Sequence, residues 1–283
     1  MILDSRACEL GEGPLWHPVR EQLFWFDILN RKMHSRAGGE PLSWTFPDMA
    51  SAAGWTSEGT LILASETGLS VFDIASGARS PVEATDSPAT RSNDGRADRQ
   101  GGFWFGTMGK RAEKGAGAIW RWYRGELRLL FPEITIPNAI CFTPDGRAAH
   151  FADTVTGMVM KVALDTSGWP SAEPQLWLDL TADGLNPDGA VIDAEGRLWN
   201  AQWGAGRVAA YAPDGRFLTA VEIPGAPNSS CPAFGGPDLN TLFVTTALEH
   251  LDAAARAAHP ASGQVFAFPG IARGLPEPQV ILP

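Results

Sequence analysis

Residues 186–212 read NPDGAVIDAEGRLWNAQWGAGRVAAYA. A short apolar run leads into the turn at Asp193–Gly196. A second run, Leu198–Trp203, leads into a glycine turn, and a third ends at Ala212. No helical spacing is kept across the segment. Short runs rich in Val, Ile and Trp, each bounded by Gly, Pro, Asp or Asn, are the mark of strands joined by turns.

The same order recurs along the chain. The turn-and-strand segments are 17–27 (HPVREQLFWFD), 56–65 (TSEGTLILAS), 98–108 (DRQGGFWFGTM), 143–153 (TPDGRAAHFAD), 193–203 (DAEGRLWNAQW) and 236–246 (GPDLNTLFVTT). Phe24, Ile62, Trp104, His150, Trp199 and Phe243 occupy equivalent points, 38 to 49 residues apart. A further strand follows each, from RKMHSRA at 31–37 to GQVFAFP at 263–269. A period of about 40 to 50 residues with several strands per unit predicts propeller blades. Six units fill the chain, so the expected fold is all-β, a six-bladed β-propeller, with residues 1–283 as one domain. A β-sandwich would need this spacing to arise by accident. A closed ring also removes free sheet edges. That makes Ile2–Leu10 the expected outer strand of the last blade, and Pro269–Pro283 a terminal strand and tail.

Composition narrows the function. With 44% hydrophobic and 19% charged residues the chain is of ordinary globular type. It carries 22 basic against 32 acidic residues, a formal charge of −10. Nucleic acid and anionic membrane surfaces need a basic footprint, so neither is an expected partner. The start, MILDSRACELGEG, lacks the basic and apolar order of a secretory signal. Cys8, Cys141 and Cys231 are odd in number, far apart and outside any CxxC spacing. They read as reduced, buried thiols in a cytoplasmic protein.

The polar residues carry the functional signal. Eight positions before the turn glycines Gly101, Gly146 and Gly196 stand Asn93, Asn138 and Asp188. In the first unit the same count from Glu21 reaches Gly13, beside Glu12. The second and sixth units place Ser51 and Cys231 there. Equivalent positions in a radial repeat converge on the axis, so Glu12, Asn93, Asn138 and Asp188 are expected to meet at one end of the channel. Gathered carboxylates repel one another unless a cation joins them. Carboxylate and amide oxygens form a hard donor set, suited to Ca, Mg or Mn and tolerant of Zn or Fe(II). The five histidines show neither HxH nor HExxH spacing, and none is an expected ligand. Plainer readings stand beside these. NPDG is itself a turn signal, Asn93 with Asp94 and Gly95 also reads as a turn, and Asn138 follows a proline. Arg91 points to the same side as Asn93 in an extended chain.

At these residues the chain resembles the SMP-30/gluconolactonase/luciferin-regenerating-enzyme family. The likeness runs over essentially the whole chain. It rests on LGEGPLWHP at 10–18, RSNDGRAD at 91–98 with FWFGTM at 103–108, IPNAICFTPDG at 136–146 with FADT at 151–154, and NPDGAVIDAEGRLWNAQWG at 186–204. The resemblance implies a six-bladed propeller with one divalent metal ion in the channel mouth. It implies ligation by Glu12, Asn138 and Asp188, with Asp188 also the catalytic base. It further implies that Arg91 and Asn93 contact substrate, and that the substrate is a sugar lactone opened to its free acid. Some members hydrolyse organophosphates, so a phosphotriesterase is one alternative. A calcium-binding or scaffold propeller is another.

One segment departs from the family pattern. Animal members follow GTM with acidic residues, whereas this chain has GTMGKRAEKGAG at 106–117. Lys110 or Arg111 is therefore expected to pair with a second carboxylate on the substrate, as in the lactone of a sugar diacid. Loops Met108–Gly117 and Leu248–Ser262 are expected to shape the pocket. Asp153, Gln202 and Trp203 are further candidates for substrate contact.

Overall fold

Each repeat unit folds into a four-stranded antiparallel sheet, in a computed structural model that describes residues 1–283 except Asp86. Blade 1 is Gly11–His17, Gln22–Asp27, Lys32–Ala37 and Glu40–Thr45. Blade 2 is Ala50–Ser57, Thr60–Ser65, Gly68–Asp73 and Arg79–Ala84. Blades 3, 4 and 5 repeat this order over 90–134, 137–179 and 186–222. Blade 6 takes Ser229–Gly235, Thr241–Thr246 and Val265–Pro269 from the end of the chain and Ile2–Asp4 from its start. Ile2 lies opposite Phe266 and Asp4 opposite Val265. The expected closure holds, with a strand shorter than the segment Ile2–Leu10. The fold is a six-bladed β-propeller.

Hydrophobic packing follows the repeat. The buried apolar residues fall into six clusters, one at each interface between neighbouring blades. Phe24, Phe26 and Met33 of blade 1 meet Leu61, Leu63 and Phe72 of blade 2 in one of them. Each fully buried side chain of this size contributes about 1.5–3 kcal/mol. The aromatic runs of the sequence are thus cement between blades.

The turns between the first and second strands lie on one face of the ring. Gly101, Gly146 and Gly196 take left-handed φ there, between 67° and 90°. Glu21 takes the same conformation without being glycine, at φ 50°. The turn is therefore kept in the unit that lacks the glycine.

The last residues depart from expectation. After Pro269 the chain forms no strand. It crosses the turn face instead. Ala194 N donates to Arg273 O (2.8 Å), Trp55 Nε1 to Glu277 O (2.8 Å), and Ile281 N to Gly101 O (2.9 Å). This path runs from blade 6 over blade 5 to blades 2 and 3. Glu277, a residue of this tail, is buried and pairs with Arg96, whose Nη2 also donates to Pro232 O (3.3 Å). The tail thereby caps the channel at the end away from Glu12 and Asp188. Among the described residues, no helix is long and apolar enough to cross a membrane.

Candidate active site

The opposite end of the channel is open. In every innermost strand the ladder register breaks there, between Glu12 and Leu15, Ala50 and Ala52, Ser92 and Gly95, Asn138 and Cys141, Pro187 and Ala190, and Ser229 and Cys231. Bulges of this kind bend a strand and re-aim a side chain. The break in blade 6 centres on Ser230, whose Oγ donates to Gly11 O (2.5 Å), and not on Cys231 as the count from sequence had it. Gly13 and Ala139, directly after Glu12 and Asn138, both take left-handed φ, 54° and 55°. At Gly13 a Cβ would run into the backbone of Ser51. The alanine carries the strain.

The structure brings Glu12, Arg91, Asn93, Asn138 and Asp188 to the lining of one cavity of about 280 Å3. All five are buried against the protein. Asn138 is held from both sides. Its Oδ1 accepts from Asn93 Nδ2 (3.1 Å), and its Nδ2 donates to Thr154 Oγ1 (2.7 Å). Thr154 Oγ1 donates in turn to Pro187 O (2.8 Å), which ties blade 4 to the strand that carries Asp188. Arg91 Nη1 donates to Ser92 O and Asn93 Oδ1, both at 2.8 Å.

The acids have less: Glu12 Oε2 accepts from Gly13 N (3.0 Å). Burial pushes the Glu12 carboxyl up to about 8, and the charge of Asp94 adds to the rise. Burial raises Asp188 well above the carboxylate range, with Glu12 and Asp94 adding to it. Among the described residues neither acid is in an ion pair. Two buried acids that repel each other, beside a fixed amide oxygen, fit a hard divalent cation. Ca, Mn, Mg, Zn and Fe(II) all remain compatible with this set.

Asp94 was not among the expected site residues. It is buried at the break in blade 3. Its Oδ1 accepts from Gly95 N (2.8 Å), and its Oδ2 from Ile140 N of blade 4 (2.7 Å). Burial raises its pKa. Glu249 and His250 also line the cavity and were likewise not foreseen individually, although their loop was.

Other expected residues differ in their placement. Lys110 and Arg111 line the cavity, but each already has a partner. Lys110 Nζ is 2.6 Å from Glu66 Oε1, and Arg111 Nε is 3.0 Å from Glu113 Oε1. Trp203 lines the cavity; Asp153 and Gln202 do not. The Asp153 carboxylate is occupied by the backbone N–H groups of Thr135 and Ile136, at 2.9 and 3.0 Å. Gln202 is locked between Tyr211 Oη (2.7 Å) and Arg207 Nε (2.6 Å). Strand-end polarity misled here, because these side chains serve the backbone and each other.

A separate buried group of Cys8, Asp27 and His34 carries potential ligand atoms within 4.8 Å of one another. Its capacity is already used. Asp27 accepts from Leu10 N (3.2 Å) and Asn30 Nδ2 (2.8 Å), His34 Nδ1 pairs with Ser43 Oγ (2.7 Å), and burial pushes the Cys8 thiol up. All three cysteines are buried and unpaired.

Comparison with known proteins bears on the fold and on the family. The sequence profile described as the SMP-30/Gluconolactonase/LRE-like region matches residues 10–248. The L-arabinolactonase of Azospirillum brasilense is 36% identical, over 94% of this chain and 90% of that one. The 6-deoxy-6-sulfogluconolactonase of Pseudomonas putida is 33% identical, over 95% and 94%. A crystal structure of a calcium-binding protein, regucalcin, from Agrobacterium tumefaciens superposes with a TM-score of 0.96 at 40% identity, covering 99% of this chain and 96% of that one.

Proposed function

The chain belongs to the SMP-30/gluconolactonase/LRE-like family, and from that premise we propose that it hydrolyses a sugar lactone to the open-chain acid with one divalent cation. The observation that carries the reading is the cavity where Glu12 and Asp188 lie buried outside any ion pair among the described residues, beside Asn138, Asn93 and Arg91. We assign Glu12, Asn138 and Asp188 as the cation's ligands and Asp188 as catalytic base. Residues 1–283 act as one folded unit in this reading. The unpaired thiols support work in a reducing compartment such as the cytoplasm.

Held by Glu12, Asn138 and Asp188, a divalent cation would supply Lewis-acid polarisation of the lactone carbonyl. Arg91 and Asn93 orient the ring and its hydroxyl groups, so the carbonyl carbon faces the attacking water. Asp188 takes the proton from that water as the new C–O bond forms. The ring C–O bond then breaks, and the same proton passes to the departing ring oxygen. The product is a hydroxy acid, with one water consumed and nothing oxidised or reduced. Arg91 stays charged in this role. Burial lowers its pKa, and the charges of Glu249, Glu12 and Asp188 oppose that fall.

The test is an assay of chelated protein against five- and six-membered sugar lactones, with Ca, Mn, Mg, Zn and Fe(II) returned singly. Hydrolysis that needs an added cation and is lost in Asp188→Ala supports the reading. Full activity in Asp188→Ala, or after verified removal of metal, overturns it. A calcium-binding role without chemistry is the second reading, favoured by the name of the Agrobacterium neighbour. Cation binding with no hydrolysis of lactone or phosphotriester would establish it. Relatives are named for uncharged and for sulfonated sugar lactones alike, which leaves the charge of the substrate to this chain's own residues.

A further inference from the structure

Three of the long cations at and behind the cavity rim come already matched. Lys110 is held by Glu66, whose other oxygen accepts from Met49 N at 2.7 Å. Arg111 pairs with Glu113, and its side chain is 88% exposed. Arg256 forks onto Glu9, at 2.5 and 3.1 Å. Glu249 differs from all of these. It lines the cavity, yet among the described residues its carboxylate accepts no hydrogen bond and enters no ion pair.

Its backbone, by contrast, is fixed. Glu249 N donates to Glu9 O (2.8 Å), and Glu249 O accepts from Asn228 Nδ2 (2.9 Å). The following loop is braced by Arg256, which donates to Leu251 O (2.9 Å), and by Asp252, which accepts from Ala255 N (2.8 Å). His250 takes a left-handed φ of 65° and meets the Trp203 ring edge to face at 6.4 Å. A carboxylate on a rigid wall, next to an aromatic pair, is preorganised for a ligand.

We infer that Glu249 sets the substrate class. It receives hydroxyl groups of an uncharged sugar lactone and turns away lactones that carry a second anionic group. The inference rests on the lactonase reading above. A carboxylate accepts hydroxyl donors strongly, because the bond is charge-assisted. Facing a carboxylate or sulfonate, the same group is a repulsive element, and the cation nearest to it in the cavity lining, Arg91, is buried with Nη1 committed to Ser92 O and Asn93 Oδ1. Lys110 and Arg111 therefore neutralise their own glutamates and do not recruit an anionic substrate.

The experiment uses metal-loaded protein, wild type, Glu249→Gln and Lys110→Ala. The three substrates are an uncharged pentonolactone, the lactone of a sugar diacid and a sulfonated hexonolactone. Wild type is expected to favour the uncharged lactone at least tenfold in kcat/KM. Glu249→Gln narrows that ratio at least fivefold through KM, which rises for the uncharged lactone and falls for the anionic ones. Lys110→Ala leaves the ratio in place. Calorimetric binding of the matching open-chain acids follows the same ranking. An unchanged ratio in Glu249→Gln, a wild type that prefers an anionic lactone, or a ratio that moves with Lys110 overturns the inference and leaves the lactonase reading intact. If metal-loaded wild type hydrolyses none of the three, both fall.

Discussion

At the channel mouth Glu12, Asp94 and Asp188 are buried with no ion pair among the described residues, whereas on the turn face every deep charge has its complement. Arg96 is matched by Glu277 of the tail. Asp98 and Arg121 form a fully buried pair at 2.6 Å. Asp98 also accepts from Gln100 N, Gly102 N and Trp104 Nε1, so it caps its own turn. Asp193 repeats the device in blade 5, with Glu195 N, Arg197 N, Trp199 Nε1 and Arg197 Nε. One end pairs its acids with cations, and the other leaves them outside any ion pair. Acids kept at a cost to the fold belong to function, the usual trade between stability and activity.

The contrast can be broken in several ways. The largest effect is expected from Asp188→Ala, which lowers kcat for lactone hydrolysis about 10³-fold while the melting temperature holds or rises. A matching collapse of stability would assign Asp188 to the fold. On the turn face, Asp98→Ala strands Arg121 and is expected to cost about 3–5 kcal/mol in denaturant unfolding. A loss below about 1 kcal/mol would show that the pair is dispensable.

Glu12→Gln gives the opposite sign. It stabilises the chelated protein at pH 8 by up to about 4 kcal/mol and weakens divalent-cation binding in calorimetry. The sign follows from Glu12, whose folded value of about 8 lies above its ordinary 4.5. Between those pH values the folded state keeps a proton that the unfolded state has lost. Stability of the chelated protein therefore falls as pH rises through that window, and bound cation reverses the trend. A flat pH profile for chelated wild type, with Glu12→Gln unchanged, would dismiss the strain at the mouth. The smallest effect is Lys110→Ala, whose partly exposed pair with Glu66 is worth less than about 1 kcal/mol in a thermal melt.

The fold was legible because each blade repeats one turn at one distance from its strands. Even Glu21, with no glycine to announce it, holds the left-handed turn. Asn138 and Asp188 were legible by counting along that repeat. Asp94 was not, because Asn-Asp-Gly in sequence reads as a turn; its purpose appears only when blade 4 brings Ile140 N to its carboxylate. Glu249 and the residues after Pro269 lie outside the repeat, and periodicity says nothing of them. Asp153 and Gln202 misled for a related reason. A polar residue at a strand end satisfies the backbone as readily as it meets a ligand.

The register break common to all six innermost strands reaches beyond the present donor set. It makes the mouth a ring of interchangeable sockets, four furnished with acids or amides and two, at Ser51 and Ser230, with hydroxyls tied to neighbouring blades. A donor in place of either hydroxyl would approach the axis from a new direction. Coordination number, and with it the choice among cations, is thus open to single substitutions in a scaffold that need not be rebuilt.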